Sequence, residues 1–163
     1  MKISTSTLAC CAAGLGLSLG LSAAGAGELP KVDLARAAEI SAARCGLCHG
    51  IDGDSSSPLY PRLASQHHQY IAKQLGDFKS GRRKSDTMKP QSEELTPAEM
   101  KALGAFFEKK KASANTATDQ DIVGVGRYIF AKGNQFSGLP SCASCHGAKG
   151  YGTPQLPRLA GQH

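Results

Sequence analysis

No stretch of this sequence alternates β-branched with polar residues over the length of a strand, so an all-α fold is expected. Tryptophan is absent and aromatics make up 6 % of the chain. No basic stripe carries interleaved aromatics, which argues against a nucleic-acid surface. Cysteine is sparse where a small exported domain would use it for bridges. Of the six, Cys10 and Cys11 fall in an N-terminal apolar segment and the other four stand in two close pairs, so none is left for a structural disulfide. Apart from Met1, the only methionines are Met88 and Met100.

The chain opens on Met1-Lys2, followed by a run of Ala, Leu, Gly, Ser and Thr from Leu8 to Ala24 and an A-x-A-like site at Ala24-Gly25-Ala26. This pattern predicts a signal peptide over 1–26, export to the periplasm and a mature chain from Gly27. The glycine-rich run and its cleavage signal argue against a retained membrane helix, leaving at most peripheral membrane association. Acylation at Cys10 or Cys11 is disfavoured, because most of the apolar run lies beyond them. Lys2 is one of the 19 Lys and Arg, so 18 remain against 13 Asp and Glu. Such a basic excess suits docking to acidic patches on protein partners.

In place of spare cysteines the chain has one pentapeptide written twice: Cys45-Gly46-Leu47-Cys48-His49 and Cys142-Ala143-Ser144-Cys145-His146. Two thiols three residues apart on a helical turn can reach both vinyl groups of one porphyrin. The histidine that follows then points its imidazole at the iron. This is the attachment signature of a c-type haem. C-x-x-C alone also serves zinc and thiol redox chemistry, but two copies in an exported chain, inside a longer repeat, favour haem. A pair of disulfides would leave the His-Gly after each pair unexplained. The expected cofactors are two covalently bound haem c groups, attached through Cys45, Cys48, Cys142 and Cys145, with His49 and His146 as proximal ligands. Their propionates bring the assembled protein nearer neutrality.

The two halves are related beyond the pentapeptide. Cys-x-x-Cys-His-Gly-x-x-Gly recurs at 45–53 and 142–150, and Pro-Arg-Leu-Ala-x-Gln-His at 61–67 and 157–163, with offsets of 97 and 96. A tandem duplication follows, organised as a first domain over 27–111, a linker over 112–120 and a second domain over 121–163. Each domain is small for an independent core, and a buried haem supplies apolar volume. The first domain predicts three helices. An Ala-rich one over Val32–Arg44 leads into the haem motif. A second, capped by Ser65, runs through Lys79 to a close at Gly81, with Ile71, Leu75 and Phe78 on one face. A third opens on the capping box Thr96-Pro97-Ala98-Glu99 and carries Met100, Leu103, Phe106 and Phe107 inward. Lys109–Lys111 suits a solvated helix end.

The second ligand of each iron separates electron transfer from catalysis. Met88, in a predicted loop 39 residues after His49, is the candidate distal ligand, while Met100 sits at a core position of the third helix. His67 and His68 are the competitors. A thioether favours Fe(II) and raises the potential. Only 17 residues follow His146, against about 60 after His49 within the first domain, and no Met is among them. The second domain is therefore expected to be incomplete. The natural protein is expected to continue, with a Met near position 184 and a total length of about 200.

The signal peptide, the tandem haem motifs, Pro-x-Leu-x-x-Gln and a Met after Gly81-Arg82 together resemble the di-haem cytochrome c4 family, over the first domain and the first half of the second. The resemblance implies two all-α class I-type cytochrome c domains with His/Met-ligated haems. It assigns Pro61 and Pro157 as carbonyl acceptors for the proximal imidazoles and Leu63 and Leu159 as residues packed on the haem. Gly126 and Phe130 correspond to the crossing of first and last helices, where the first domain has Ala37 and Ala38. The implied function is a periplasmic single-electron carrier, taking electrons from a quinol-oxidising complex or dehydrogenase and passing them toward a terminal oxidase. The alternative is the haem subunit of a flavoprotein or other periplasmic dehydrogenase, such as a sulfide-oxidising one. An enzyme such as a peroxidase is disfavoured, because a catalytic haem needs a displaceable ligand where this chain offers Met88.

Overall fold

A computed structural model describes residues 32–117 and 119–163, so the signal segment, with Cys10 and Cys11, lies outside the described residues. Helix α1 (Leu34–Ile40) starts at Asp33, whose carboxylate accepts from the Arg36 N–H at 2.9 Å. The expected single helix over Val32–Arg44 is interrupted. It passes through a π-helical turn, Ser41–Cys45, into α2 (Gly46–His49), which carries the first pentapeptide. Such one-turn widenings favour functional sites. Here the fully buried Ser41 donates its hydroxyl to the Ile51 carbonyl at 3.2 Å and ties the turn to the loop beyond the motif.

Helix α3 (His68–Ser80) begins later than expected, because Ser65 is not its cap. Ser65 sits at φ 61°, where its hydroxyl donates to the Lys110 carbonyl at 2.8 Å and accepts from the Ala112 N–H at 3.2 Å. The same place in the repeat is Gly161, at φ 85°. Both copies of the motif thus need a left-handed residue there, and a helix start is excluded. Gly81 closes α3 in the left-handed conformation, as expected.

Met88 does not lie in a loop. It opens a short helix, α4 (Met88–Glu93), because the Ser85 hydroxyl accepts its N–H at 3.1 Å and Ser92 bonds back to the Met88 and Lys89 carbonyls. The capping box at Thr96 and Glu99 is present and starts α5 (Pro97–Glu108). Helices α1 and α3 pack on α5. Ala37, Ile40, Ile71, Leu95, Met100, Ala102, Leu103 and Phe107 form the core. Full burial of Leu103 and Phe107 stabilises by about 1.5–3 kcal/mol each. Gly104 allows the close crossing: a Cβ there would strike the His68 carbonyl at the start of α3.

Irregular chain leads to α6 (Gln120–Lys132), capped by Asp119, and then to α7 (Ala143–His146), which carries the second pentapeptide. Between them a single antiparallel bridge joins Asn134 and Leu139; no strand forms among the described residues. Ile122, Val125 and Tyr128 of α6 are exposed, and nothing lies against Gly126. The expected helix crossing at Gly126 therefore has no partner among the described residues. Phe130 instead packs near Gly150.

Candidate haem site

The site of the first half is a cavity of about 660 Å³ lined by Cys45, Cys48, His49, Pro61, Leu63 and Met88, among others. Its size falls within the roughly 300–1,000 Å³ of cofactor sites. Ile71, Leu75, Phe78, Leu103 and Phe107 give it an apolar wall. At its mouth stand Leu47 and Leu59, 97 % and 83 % exposed. The loop before α4 brings Arg83 and Lys84 to the rim.

His49 is buried, and its Nδ1 lies 2.8 Å from the Pro61 carbonyl oxygen. Because that carbonyl can only accept, Nδ1 is the protonated nitrogen and Nε2 is left with a free lone pair, the state a metal-binding imidazole requires. Burial holds the ring below its ordinary pKa against the opposing pull of the Pro61 carbonyl, which favours the neutral form. Burial also pushes the Cys45 thiol up to about 11, only partly offset by Arg44. Thiol redox motifs show the reverse, a depressed pKa. The arrangement fits a haem held by two thioethers and an imidazole. Such a group supplies one-electron iron chemistry.

The second half repeats the proximal geometry: His146 Nδ1 lies 2.8 Å from the Pro157 carbonyl. Thus the same residue pair, eleven or twelve positions apart, fixes both imidazoles. Of the competing histidines, His67 bonds through Nε2 to the Tyr151 carbonyl at 2.8 Å and His68 through Nδ1 to Glu108 at 2.8 Å. Neither lines the cavity. Met100 is buried in the core.

Sequence reasoning did not identify Arg62, Gln66 and Gln162 as joining the halves. The largely buried Arg62 guanidinium donates to the carbonyls of Ser55, Ser113 and Gly161 at 3.1, 3.2 and 2.9 Å and pairs with Asp54 at 3.3 Å. Asp54 is held below the usual carboxylate range, first by the Ser113 hydroxyl. One side chain thus binds the first half, the connecting segment and the second half. The Gln162 amide accepts from Arg62 N–H at 3.0 Å and donates to the Arg62 carbonyl at 2.8 Å. Gln66 does the same to Arg158, at 2.8 and 3.0 Å. Pro157, Leu159 and Gln162 also reach the first cavity. The repeated Arg-x-x-x-Gln was the available signal, but it carries no periodicity to mark it as a contact.

The cytochrome c family model matches residues 34–129. The chain is 37 % identical over 131 residues to cytochrome c4 of Pseudomonas aeruginosa, covering 79 % of this chain and 65 % of that protein. It is 36 % identical over 129 residues to a thiosulfate dehydrogenase electron acceptor of Stutzerimonas stutzeri, covering 77 % of this chain and 60 % of that one. The crystal structure of reduced recombinant cytochrome c4 from Pseudomonas stutzeri superposes with a TM-score of 0.72 at 33 % identity, covering 79 % of this chain and 72 % of that one. The chain thus spans a little under two thirds of the length of the cytochrome c4 sequence it matches.

Proposed function

Since this chain belongs to the cytochrome c family, and within it to the cytochrome c4 proteins, we propose that it is a periplasmic di-haem carrier of single electrons. Its two cytochrome domains, over 27–111 and 121–163, are joined by the segment 112–120. Cys45, Cys48, Cys142 and Cys145 attach the haems, His49 and His146 are proximal ligands, and Met88 is the distal ligand of the first. The observation that carries this reading is the His49 imidazole, oriented by Pro61 into a cavity that Cys45, Cys48 and Met88 also line, with the His–Pro pair repeated at His146. The protein's own part is to hold the imidazoles fixed on the Pro61 and Pro157 carbonyls, to exclude water with its apolar wall, and to present an exposed edge at Leu47 and Leu59. Donor and acceptor are a quinol-oxidising complex and a terminal oxidase.

A second reading, electron acceptor of a periplasmic dehydrogenase, is favoured by the similarity to the thiosulfate dehydrogenase electron acceptor. Co-purification with a dehydrogenase, or its absence, separates the two. The central test is mass spectrometry of the full chain expressed with periplasmic haem attachment. Two haem masses should survive denaturation, and replacing Cys45 and Cys48 by Ala should remove one of them. A single haem, or none, in the unaltered protein would overturn the reading.

A further inference from the structure

The carbonyl of Pro61 and the N–H of Arg62 belong to one peptide group. Its oxygen lies 2.8 Å from His49 Nδ1, and its N–H donates to Gln162 Oε1 at 3.0 Å. In the other copy the Pro157–Arg158 peptide has its oxygen 2.8 Å from His146 Nδ1, and its N–H donates to Gln66 Oε1 at 2.8 Å. Each proximal histidine is therefore one peptide away from a glutamine of the opposite half. The contacts are reciprocal, Arg62 with Gln162 and Arg158 with Gln66, as in a two-fold interface.

We infer that Gln162 and Gln66 are crossed positioning residues: each tunes the proximal histidine of the half to which it does not belong. An acceptor on a peptide N–H pulls electron density toward the carbonyl and makes that oxygen a better acceptor. Cooperative strengthening of this kind is of order 10–30 % per bond. The Pro61 carbonyl then takes more of the Nδ1 proton of His49, and the imidazole becomes a stronger donor at Nε2. A stronger donor favours the ferric state and lowers the reduction potential. Gln66 is buried and Gln162 half-buried, so water competes little for these bonds. Both amides also donate back to the same residue's carbonyl, at 3.0 and 2.8 Å, which fixes their orientation. The halves thus sense each other through polarised hydrogen bonds as well as through contact.

The inference rests on the proposed ligand roles of His49 and His146. Its test is a redox titration of the haem-loaded full chain, followed by NMR through the ring protons of each histidine. Gln162→Met removes the acceptor at similar volume. The potential of the first haem should rise and the His49 Nδ1 proton should move upfield as its bond weakens, with the second haem unmoved. Gln66→Met should do the same to the second haem, read at the His146 Nδ1 proton, because Gln66 also lines the first cavity. Gln162→Glu keeps an acceptor on Arg62 N–H and should not raise the first potential. His67→Ala breaks another contact between the halves, to the Tyr151 carbonyl, and should raise neither. An upfield move of the Nδ1 proton in the histidine of the mutated half rather than the opposite one, or no move in either, would overturn the inference while leaving two bound haems intact. Failure of the ligand reading itself would appear separately, as haem missing from the mass spectrum.

Discussion

Met88 and Met100 have the same side chain and opposite expected roles. Met88 lines the cavity at the start of α4, and Met100 is closed into the core between α1, α3 and α5. Met88→Ala should abolish the first haem's share of the weak near-infrared Fe(III)–S band and lower its potential by about a hundred millivolts or more, within the range that axial ligation sets. Met100→Leu conserves volume and should cost under about 1.5 kcal/mol while leaving band and potential alone. If the two variants exchange these effects, the ligand is Met100. Placing Met88 on a helix rather than in a loop also fixes the sulfur's approach, because Ser85 and Ser92 hold the backbone on either side of it.

At the scale of elements, the crossing of α3 and α5 depends on Gly104. Gly104→Ala would drive a methyl group into the His68 carbonyl. Overpacking of this kind should cost about 1–3 kcal/mol, read as a fall in the midpoint of chemical unfolding. The end of α3 depends on Asp77, which is buried and paired with Lys73 and Arg82. Lys73 first, and then Arg82, hold its carboxyl below the ordinary 3.8, against an opposing effect of burial. A folded-state pKa below the unfolded one means the stabilisation is present above the unfolded value and fades as pH falls through the folded value. The stability advantage of the native protein over Asp77→Asn should therefore be full at neutral pH and shrink below about pH 3.8. An advantage that persists unchanged in acid would assign the stability of this corner to other contacts. The corner matters beyond its own helix: the Asp77 carbonyl accepts the Arg83 N–H at 3.0 Å and so anchors the loop leading to Met88.

The basic tract before α4, Arg82-Arg83-Lys84, belongs to the scale of the whole molecule's encounter with a partner. Its three residues are not equivalent. Arg82 is spent on Asp77, and Arg83 stacks over Phe78 at 4.6 Å and bonds to Gln74, but both Arg83 and Lys84 stand at the cavity rim. Charge at that rim should speed association with an acidic partner in proportion to how little salt screens it. The second-order electron-transfer rate should fall with ionic strength, and Arg83→Gln with Lys84→Gln should flatten that dependence while barely moving the potentials. An unchanged salt slope would place docking on another surface. Lys110, expected as a solvated helix end, is instead paired with Asp52 and laid over Phe106 at 4.4 Å.

Whatever is encoded within a few residues could be read from the chain alone. The thiols and histidine of each motif are contiguous, as reaching one porphyrin from one helical turn would require. The Thr96–Glu99 box and the Gly81 stop work through backbone groups three or four residues away. The duplication, too, is written openly in the sequence. Tertiary structure alone decided what depends on distant partners. Ser65 looks like a helix cap until the Lys110 and Ala112 backbone claims its hydroxyl. Gln66 and Gln162 mark only a repeat until each is seen on the backbone of the other half, 92 and 100 residues away. Bonds from side chain to backbone across a loop interface carry neither helical nor strand period, so a sequence holds their residues without holding their pairing.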